Sequence, residues 1–441
     1  MLRAMNHELD SGGLSSRDQA AADSAALCRL NYRPDVSPAE IAQAHRDWAR
    51  RHAAPLYPTR PNGRTADPER PADAPLRVGY VSGDLRRHPV ALFVEPILRC
   101  HDRAQIQPLC YDSGGERDDL NDHLRSLVPD WRDAAAWSDQ QLFERILADR
   151  IDILVDLAGH TPRNRLLVFA RRAAPVQVTA IGYVATTGLE TMDYRLTDLV
   201  CDPPETQGDN HYSETLWRLG PGFNCYAPPR GLPDPGPAPC LGGTGVTFGS
   251  LNNLDKISDQ VLDIWASILR ALPSARLIMK TKGLGEPAIR ERLLARFAAG
   301  GIETGRLELL DWSATLAEHF EIYRRIDIAL DPFPYNGTTT TCESLIMGVP
   351  MIALRGDRHA ARVSASILAR LGLEGLSAPD APGYIGRALG LASRPDAIAK
   401  LRQGLRRRVV TSPLCDAAGY TRSLDAAYRE MWETHQQAAA A

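Results

Sequence analysis

"IDIALDPFPYNGTTTTCESLIMGVPMIAL", residues 326–354, reads as strand, turn, helix and strand in one short passage. Ile326, Ile328 and Leu330 form an apolar, β-branched run that stops at Asp331. Two prolines and an Asn-Gly pair then exclude regular structure over 332–337. Thr338, Thr339, Thr340 and Thr341 stand where a helix can begin, and "CESLIMG" continues it to about residue 347. "PMIAL" supplies the next buried strand. A strand, a crossover helix and another apolar strand make the unit of a parallel sheet covered on both faces.

The same alternation extends in both directions. Upstream lie "VTFGSL", a helix over 258–271, "ARLIMKT", a helix near 286–298, "RLELLD" and a helix over 313–324. Earlier still, "LRVGYVS", "IQPLCYDS", "IDILVDLAG" and "VQVTAIGY" read as strands, with helices near 90–100, 138–149 and 163–172. "APPRGLPDPGPAPCLGGTG", 227–245, crowds Pro and Gly into a linker between the two series. The expectation is an α/β protein with two Rossmann-like, doubly wound domains facing a cleft, the first over 76–226 and the second over 246–411. Residues 1–75 should hold a disordered start (1–24), a helix over about 38–52 announced by the capping pair Ser37 and Glu40, and a Pro-rich connector over 55–75. Residues 412–441 should form a helix with Tyr420, Leu424, Tyr428 and Met431 or Trp432 on one face, packing back on the first domain.

Composition excludes several functions. The 441 residues carry 51 Lys+Arg against 54 Asp+Glu, a net charge of −3, so no overall field favours nucleic acid or an anionic membrane. The eight cysteines form no C-x-x-C pair, which suits reduced thiols and gives no structural zinc site. No signal-peptide apolar region or membrane-spanning run is present, and the sequence reads as cytoplasmic.

Chemistry should sit in the loops that follow strands. Unpaired amides at the start of the helix after "NG", together with the hydroxyls of Thr338 to Thr341, suit a diphosphate, and Glu343 one turn on could accept ribose hydroxyls. Solvated threonines behind an ordinary N-cap are the plain alternative. "GSLNNLDKISD" places Asn252, Asn253 and Lys256 beside the same cleft, where a lysine can offset charge on a leaving phosphate. In the first domain His88 precedes Pro89 at the rim facing the second domain, where it could act on a hydroxyl proton; His160 also follows a strand, beside a Thr161 that can simply cap the next helix. The sequence contains no G-x-x-x-x-G-K-[ST], no G-x-S-x-G, no G-x-G-x-x-G after the first strand and no D-x-D. Two such domains with a diphosphate site and no metal acids point to a metal-independent sugar-nucleotide enzyme.

"LRVGYVSGDLRRHPV", "IDILVDLAGHT", "APVQVTAIGYVATTGLETMDYRLTD", "VTFGSLNNLDKIS", "DPFPYNGTTTTCESLIMGVP" and "SPLCDAAGYTRSLDAAYREMW" together resemble the catalytic region of the protein O-GlcNAc transferases and their SPINDLY-like relatives, glycosyltransferase family 41. "LNYRPDVSPAEIAQAHRDW" resembles the helical segment ahead of that region. The resemblance implies a glycosyltransferase B fold and inverting, metal-independent transfer of a sugar from a nucleotide diphosphate to protein Ser or Thr, with no cofactor. It matches His88 to an acceptor-face histidine considered as a base and Lys256 to the lysine on the leaving diphosphate. Asn253 falls at a neighbouring diphosphate contact, Thr339 and Thr340 at the paired diphosphate threonines, Glu343 at the ribose acid, and His319 near the nucleotide base. "TTTTCES" reads like the SPINDLY branch, so GDP-fucose stands beside UDP-GlcNAc as donor. The tetratricopeptide repeats usual in the family do not fit within residues 1–75. A sugar-nucleotide 2-epimerase and a binding module without catalysis are the other classes open to such a sequence.

Overall fold

The computed structural model describes residues 16–59, 74–243 and 245–440. Seven strands make the first sheet: β1 (Leu76–Ser82), β2 (Ile106–Asp112), β3 (Asp130–Asp133), β4 (Ile153–Asp156), β5 (Val176–Thr179), β6 (Tyr194–Thr197) and β7 (Thr215–Arg218). Their order is β3-β2-β1-β4-β5-β6-β7. Six more make the second: β8 (Thr247–Ser250), β9 (Arg276–Lys280), β10 (Leu307–Leu310), β11 (Ile328–Leu330), β12 (Met351–Leu354) and β13 (Ser377–Ala378), in the order β10-β9-β8-β11-β12-β13. Every pairing is parallel. Strand order therefore reverses between β1 and β4 in one sheet and between β8 and β11 in the other. The loops beyond those strand ends form the crevices where ligands bind in open α/β sheets.

The strands form where apolar runs can be buried on both faces: β4 is buried throughout, as is all of β1 except Arg77. The halves are joined by side chains as well as by the linker. Phe93, Phe223 and Tyr226 share one buried cluster with Cys342, Leu345 and Leu414. Ser366 donates to Asp198 at 2.6 Å, and His359 meets Asp202 at 2.7 Å.

The last helix, Ala417–Ala440, returns to the first sheet. Tyr420, Leu424, Tyr428, Met431 and Trp432 are all buried there, in one cluster with Tyr80, Val94 and Ile97. Both Met431 and Trp432 are used, because a side chain on either flank of the stripe still meets the sheet. Tyr420 OH donates to Phe223 O at 3.0 Å, and Asp425 accepts from His101 Nδ1 at 2.6 Å and from the Asp102 amide at 3.1 Å.

Two expectations at the N-terminus need correction. Part of the stretch read as disordered, 1–24, belongs to a helix, Ser16–Leu30; residues 1–15 lie outside the described ones. Its small residues give little amphipathic signal but allow close approach: Ala20 and Leu27 are buried, and the Trp48 indole donates to Ala20 O at 3.0 Å. The helix expected over 38–52 is α-helical over Pro38–Trp48, starts on the Ser37–Glu40 capping box, and widens into a π turn at Ala49–Ala53. Most of the Pro-rich connector, 60–73, falls outside the described residues. The helix expected over 163–172 shrinks to Leu166–Ala170, since Arg163 and Arg172 adopt φ of 63° and 57°.

Candidate functional site

Lys256 follows β8 on a short 3-10 turn, Leu254–Lys256, whose start is capped by Asn253 Oδ1 accepting from the Asp255 amide at 3.2 Å. Asn253 is exposed, whereas Asn252 is buried. The Lys256 ammonium donates to Asn336 O at 2.9 Å and lies 4.4 Å from the centroid of the Tyr335 ring. Burial pulls its pKa down to about 8, with the Asp331 carboxylate opposing that shift.

Asn336 belongs to the loop after β11, which leads into the helix Thr339–Ile346. Gly337 shapes the entry: a Cβ there would stand 2.3 Å from Thr340 Oγ1, so a larger residue would have to displace that hydroxyl. The four threonines then divide. Thr341 is buried and its hydroxyl meets that of Ser364 at 2.8 Å. The Thr340 hydroxyl donates to Asn252 Oδ1 at 2.9 Å, tying the loop after β8 to the first helical turn. The Thr338 and Thr339 hydroxyls are half-buried and make no hydrogen bond among the described residues. With the first-turn amides, which no intrahelical carbonyl can satisfy, they present several donors at the second sheet's switch point.

Glu343 is buried one turn further on. Its Oε2 accepts from His319 Nε2 at 3.0 Å and from Tyr323 OH at 3.2 Å. His319 Nδ1 lies 2.6 Å from Lys280 Nζ. An ammonium can only donate, so Nδ1 is the acceptor and Nε2 carries the proton that binds Glu343. The exposed Trp312 ring lies 5.2 Å from the same ammonium.

His88 is placed by the other sheet, as N-cap of the helix Pro89–Cys100 after β1. Its Nδ1 accepts from the Val90 amide at 3.4 Å and stands 3.6 Å from Asp84 Oδ2. Burial holds the imidazole below its ordinary pKa; Asp84 acts against that, while Arg86 and Arg163 reinforce it. The Nε2 atom makes no hydrogen bond among the described residues, and none joins His88 to Lys256 or the threonines.

His160 takes a different place. It is buried, its Nε2 donates to Thr187 O at 2.9 Å and its Nδ1 accepts from Ser24 Oγ at 3.0 Å. The neighbouring His45 donates from Nδ1 to Ile41 O at 2.6 Å and accepts from Tyr183 OH at 2.7 Å. Both rings use both nitrogens to fasten the N-terminal helices to the first domain. No spare nitrogen is left for a substrate.

The structure thus gathers Lys256, Asn252 and Thr338 to Thr341 in one group and Lys280, His319, Tyr323 and Glu343 in another, on the same domain. Asp331, Lys280, Tyr323 and Tyr335 carried no sequence argument of their own, although Asp331 and Tyr335 flank the prolines of the quoted loop. Among the described residues, no group of three or more His, Cys, Asp or Glu is arranged to hold a metal, and no helix is long and apolar enough to cross a membrane.

Two parallel-sheet domains, their switch points facing one cleft and a helix N-terminus and lysine on one side of it, define the glycosyltransferase B fold. A lysine-to-methionine variant of the Thermobaculum terrenum O-GlcNAc transferase superposes with a TM-score of 0.89 at 40% identity, over 96% of this chain and 79% of that one. The chain belongs to Glycosyl transferase family 41, whose profile matches residues 60–224 and 240–424. A tomato (Solanum lycopersicum) protein named as a probable UDP-N-acetylglucosamine–peptide N-acetylglucosaminyltransferase, SPINDLY, is 41% identical over 93% of this chain. That match covers 44% of the tomato protein, so the chain spans less than half the length of this relative. Sucrose-phosphate synthase from Thermosynechococcus elongatus shares the fold alone, with a TM-score of 0.52 at 11% identity over 81% of this chain and all of that one.

Proposed function

We propose that the protein is an inverting, metal-independent glycosyltransferase that moves a sugar from a nucleotide diphosphate to Ser or Thr hydroxyls of proteins, with UDP-GlcNAc as first donor. The observation that carries this is the half-buried Lys256 ammonium, held 2.9 Å from Asn336 O beside the open amides and hydroxyls at Thr338 and Thr339. That arrangement supplies positive charge where a diphosphate would depart. Glu343, its Oε2 engaged by His319 and Tyr323, retains Oε1 for a ribose hydroxyl. The names of the tomato and Thermobaculum relatives agree with transfer of GlcNAc.

In this reading the acceptor oxygen attacks the anomeric carbon from the His88 side as the bond to the diphosphate breaks. The His88 ring takes the hydroxyl proton at Nε2 in the tautomer that carries its own proton on Nδ1, which turns from accepting the Val90 amide to facing Asp84, 3.6 Å away, and Asp84 then favours the imidazolium that forms. The diphosphate leaves onto Lys256 and the helix start. The "TTTTCES" stretch keeps GDP-fucose as the second donor.

The test incubates the purified chain with labelled UDP-GlcNAc or GDP-fucose and a protein lysate, beside Lys256→Ala. The expected result is label in protein from UDP-GlcNAc, reduced about 100-fold in the folded variant. Transfer from GDP-fucose alone would replace the donor. Conversion of the donor with no acceptor present would indicate an epimerase, and nucleotide binding with no turnover a binding module.

A further inference from the structure

Lys256 and Asp331 are connected through a single peptide group. The carbonyl of Asn336 accepts from the Lys256 ammonium at 2.9 Å, and the amide of the same peptide, Gly337 N–H, donates to Asp331 Oδ1 at 2.7 Å. A carboxylate that accepts from the amide end of a peptide drives electron density toward its carbonyl end, and so strengthens the bond to the ammonium. Both ends of this relay are clamped. Asp331 accepts from Tyr384 OH at its backbone carbonyl, 3.0 Å away, and its amide donates to Ile352 O at 3.0 Å. Asn336 donates to Pro332 O at 3.0 Å from its side chain and to Ala360 O at 2.9 Å from its backbone.

Asp331 has 0% exposure, and its second carboxylate oxygen, Oδ2, has no hydrogen-bond partner among the described residues. A turn that needed only an acceptor for Gly337 N–H would be served by asparagine at far lower desolvation cost. A buried carboxylate with an open oxygen is sustained by a nearby positive charge, and Lys256 is the cation acting on it.

Resting on the transfer reading above, we infer that Asp331 is a positioning residue of the reaction: acting through the Asn336–Gly337 peptide, it keeps the Lys256 ammonium charged and aimed at the departing diphosphate. The groups around Lys256 are the Tyr335 ring with Tyr32 behind it, the Asn336 carbonyl, Asp255 on its own turn, and Asp331. Those around Asp331 are the Gly337 amide, the nearby Ser364 hydroxyl and Lys256. Burial pushes the Asp331 carboxyl up to about 7 against the pull of all three of these groups. Asp331 in turn raises the lysine that burial has lowered. Removing the carboxylate charge therefore makes Lys256 lose its proton at lower pH.

The experiment measures acetylation of Lys256 by trace acetic anhydride, read by mass spectrometry on the full chain from pH 6 to 10, in wild type and in Asp331→Asn. The expected midpoint lies near 8 in wild type and about one unit lower in the variant, with melting temperatures alike. In the transfer assay the variant should lose about tenfold in kcat, and its alkaline limb should move to lower pH. The reciprocal arm follows Asp331 by 13C NMR of labelled aspartate in Lys256→Met, where its midpoint should rise; this arm stands even where Asp331→Asn does not fold. An unmoved midpoint in either arm overturns the coupling. The labelling arms need no turnover, so a chain that shows the shift but transfers no sugar would refute the transfer reading and leave the coupling intact.

Discussion

The ring of Tyr32, from the turn between the two N-terminal helices, lies 4.8 Å from the ring of Tyr335, which in turn lies 4.4 Å from the Lys256 ammonium. The N-terminal segment therefore reaches the charged centre of the cleft through one intervening side chain. Tyr32→Ala should lower kcat for transfer by up to about tenfold, the scale of one aromatic pair, with donor KM changed less. Steady-state kinetics check this, and a variant with wild-type kcat would separate the N-terminal helices from the chemistry.

The division of labour among the threonines predicts unequal effects. Thr339→Val removes an open hydroxyl with little change in volume, and should weaken nucleotide binding about three- to tenfold with melting temperature unchanged. Thr341→Val instead leaves the buried Ser364 hydroxyl without that partner, and should lower stability by roughly 1 to 2 kcal/mol. Calorimetry with UDP and GDP, together with thermal unfolding, distinguishes the two.

Acid should loosen the N-terminal helices. Burial holds His45 down at about pKa 4 and His160 well below its ordinary value, so both are neutral when folded. An unfolded histidine takes up its proton near pH 6.5, so between about 6.5 and 4 the unfolded state binds more protons and stability falls as pH falls. For His45 the full window amounts to roughly 3 kcal/mol. His45→Gln should flatten the dependence of melting temperature on pH across that window; an unchanged slope would contradict a neutral buried ring.

The C-terminal helix carries part of the first core. Leu424→Ala should cost about 2 to 5 kcal/mol in denaturant unfolding. Deleting 412–441 should uncover Tyr80, Val94 and Ile97, increase binding of an apolar dye and abolish transfer. A truncated chain that transfers at full rate would exclude a role for this helix in aligning the halves.

The strands that sequence reveals are those buried on both faces, such as Leu76–Ser82 and Ile328–Leu330, where nearly every position, Arg77 and Ser82 apart, is apolar or glycine. β6 and β7 escape because "YRLT" and "TLWR" carry arginines. Arg195 is nonetheless buried, its guanidinium donating to Ala185 O at 2.9 Å and Tyr183 O at 2.8 Å, a solution that no local pattern announces. The helix Asp119–Leu127 is missed for a related reason, since only Asn121 and Leu124 face inward. In the site, threonines at a helix start and a lysine after a strand can be read from local chemistry. The Lys280–His319–Glu343 series cannot, because its members come from a strand and two helices that only the closed sheet brings together.

The return of the last helix to the first sheet also sets an order of events on the ribosome. All the strands of that sheet have been synthesised by Arg218, yet Tyr420, Leu424, Tyr428, Met431 and Trp432, which seal its core, are translated only after the whole second domain. A nascent chain paused at the linker holds a sheet with part of one face open, beside the helix Pro89–Cys100. The domain made second is thus the first that can close, and the N-terminal half waits for the final helix.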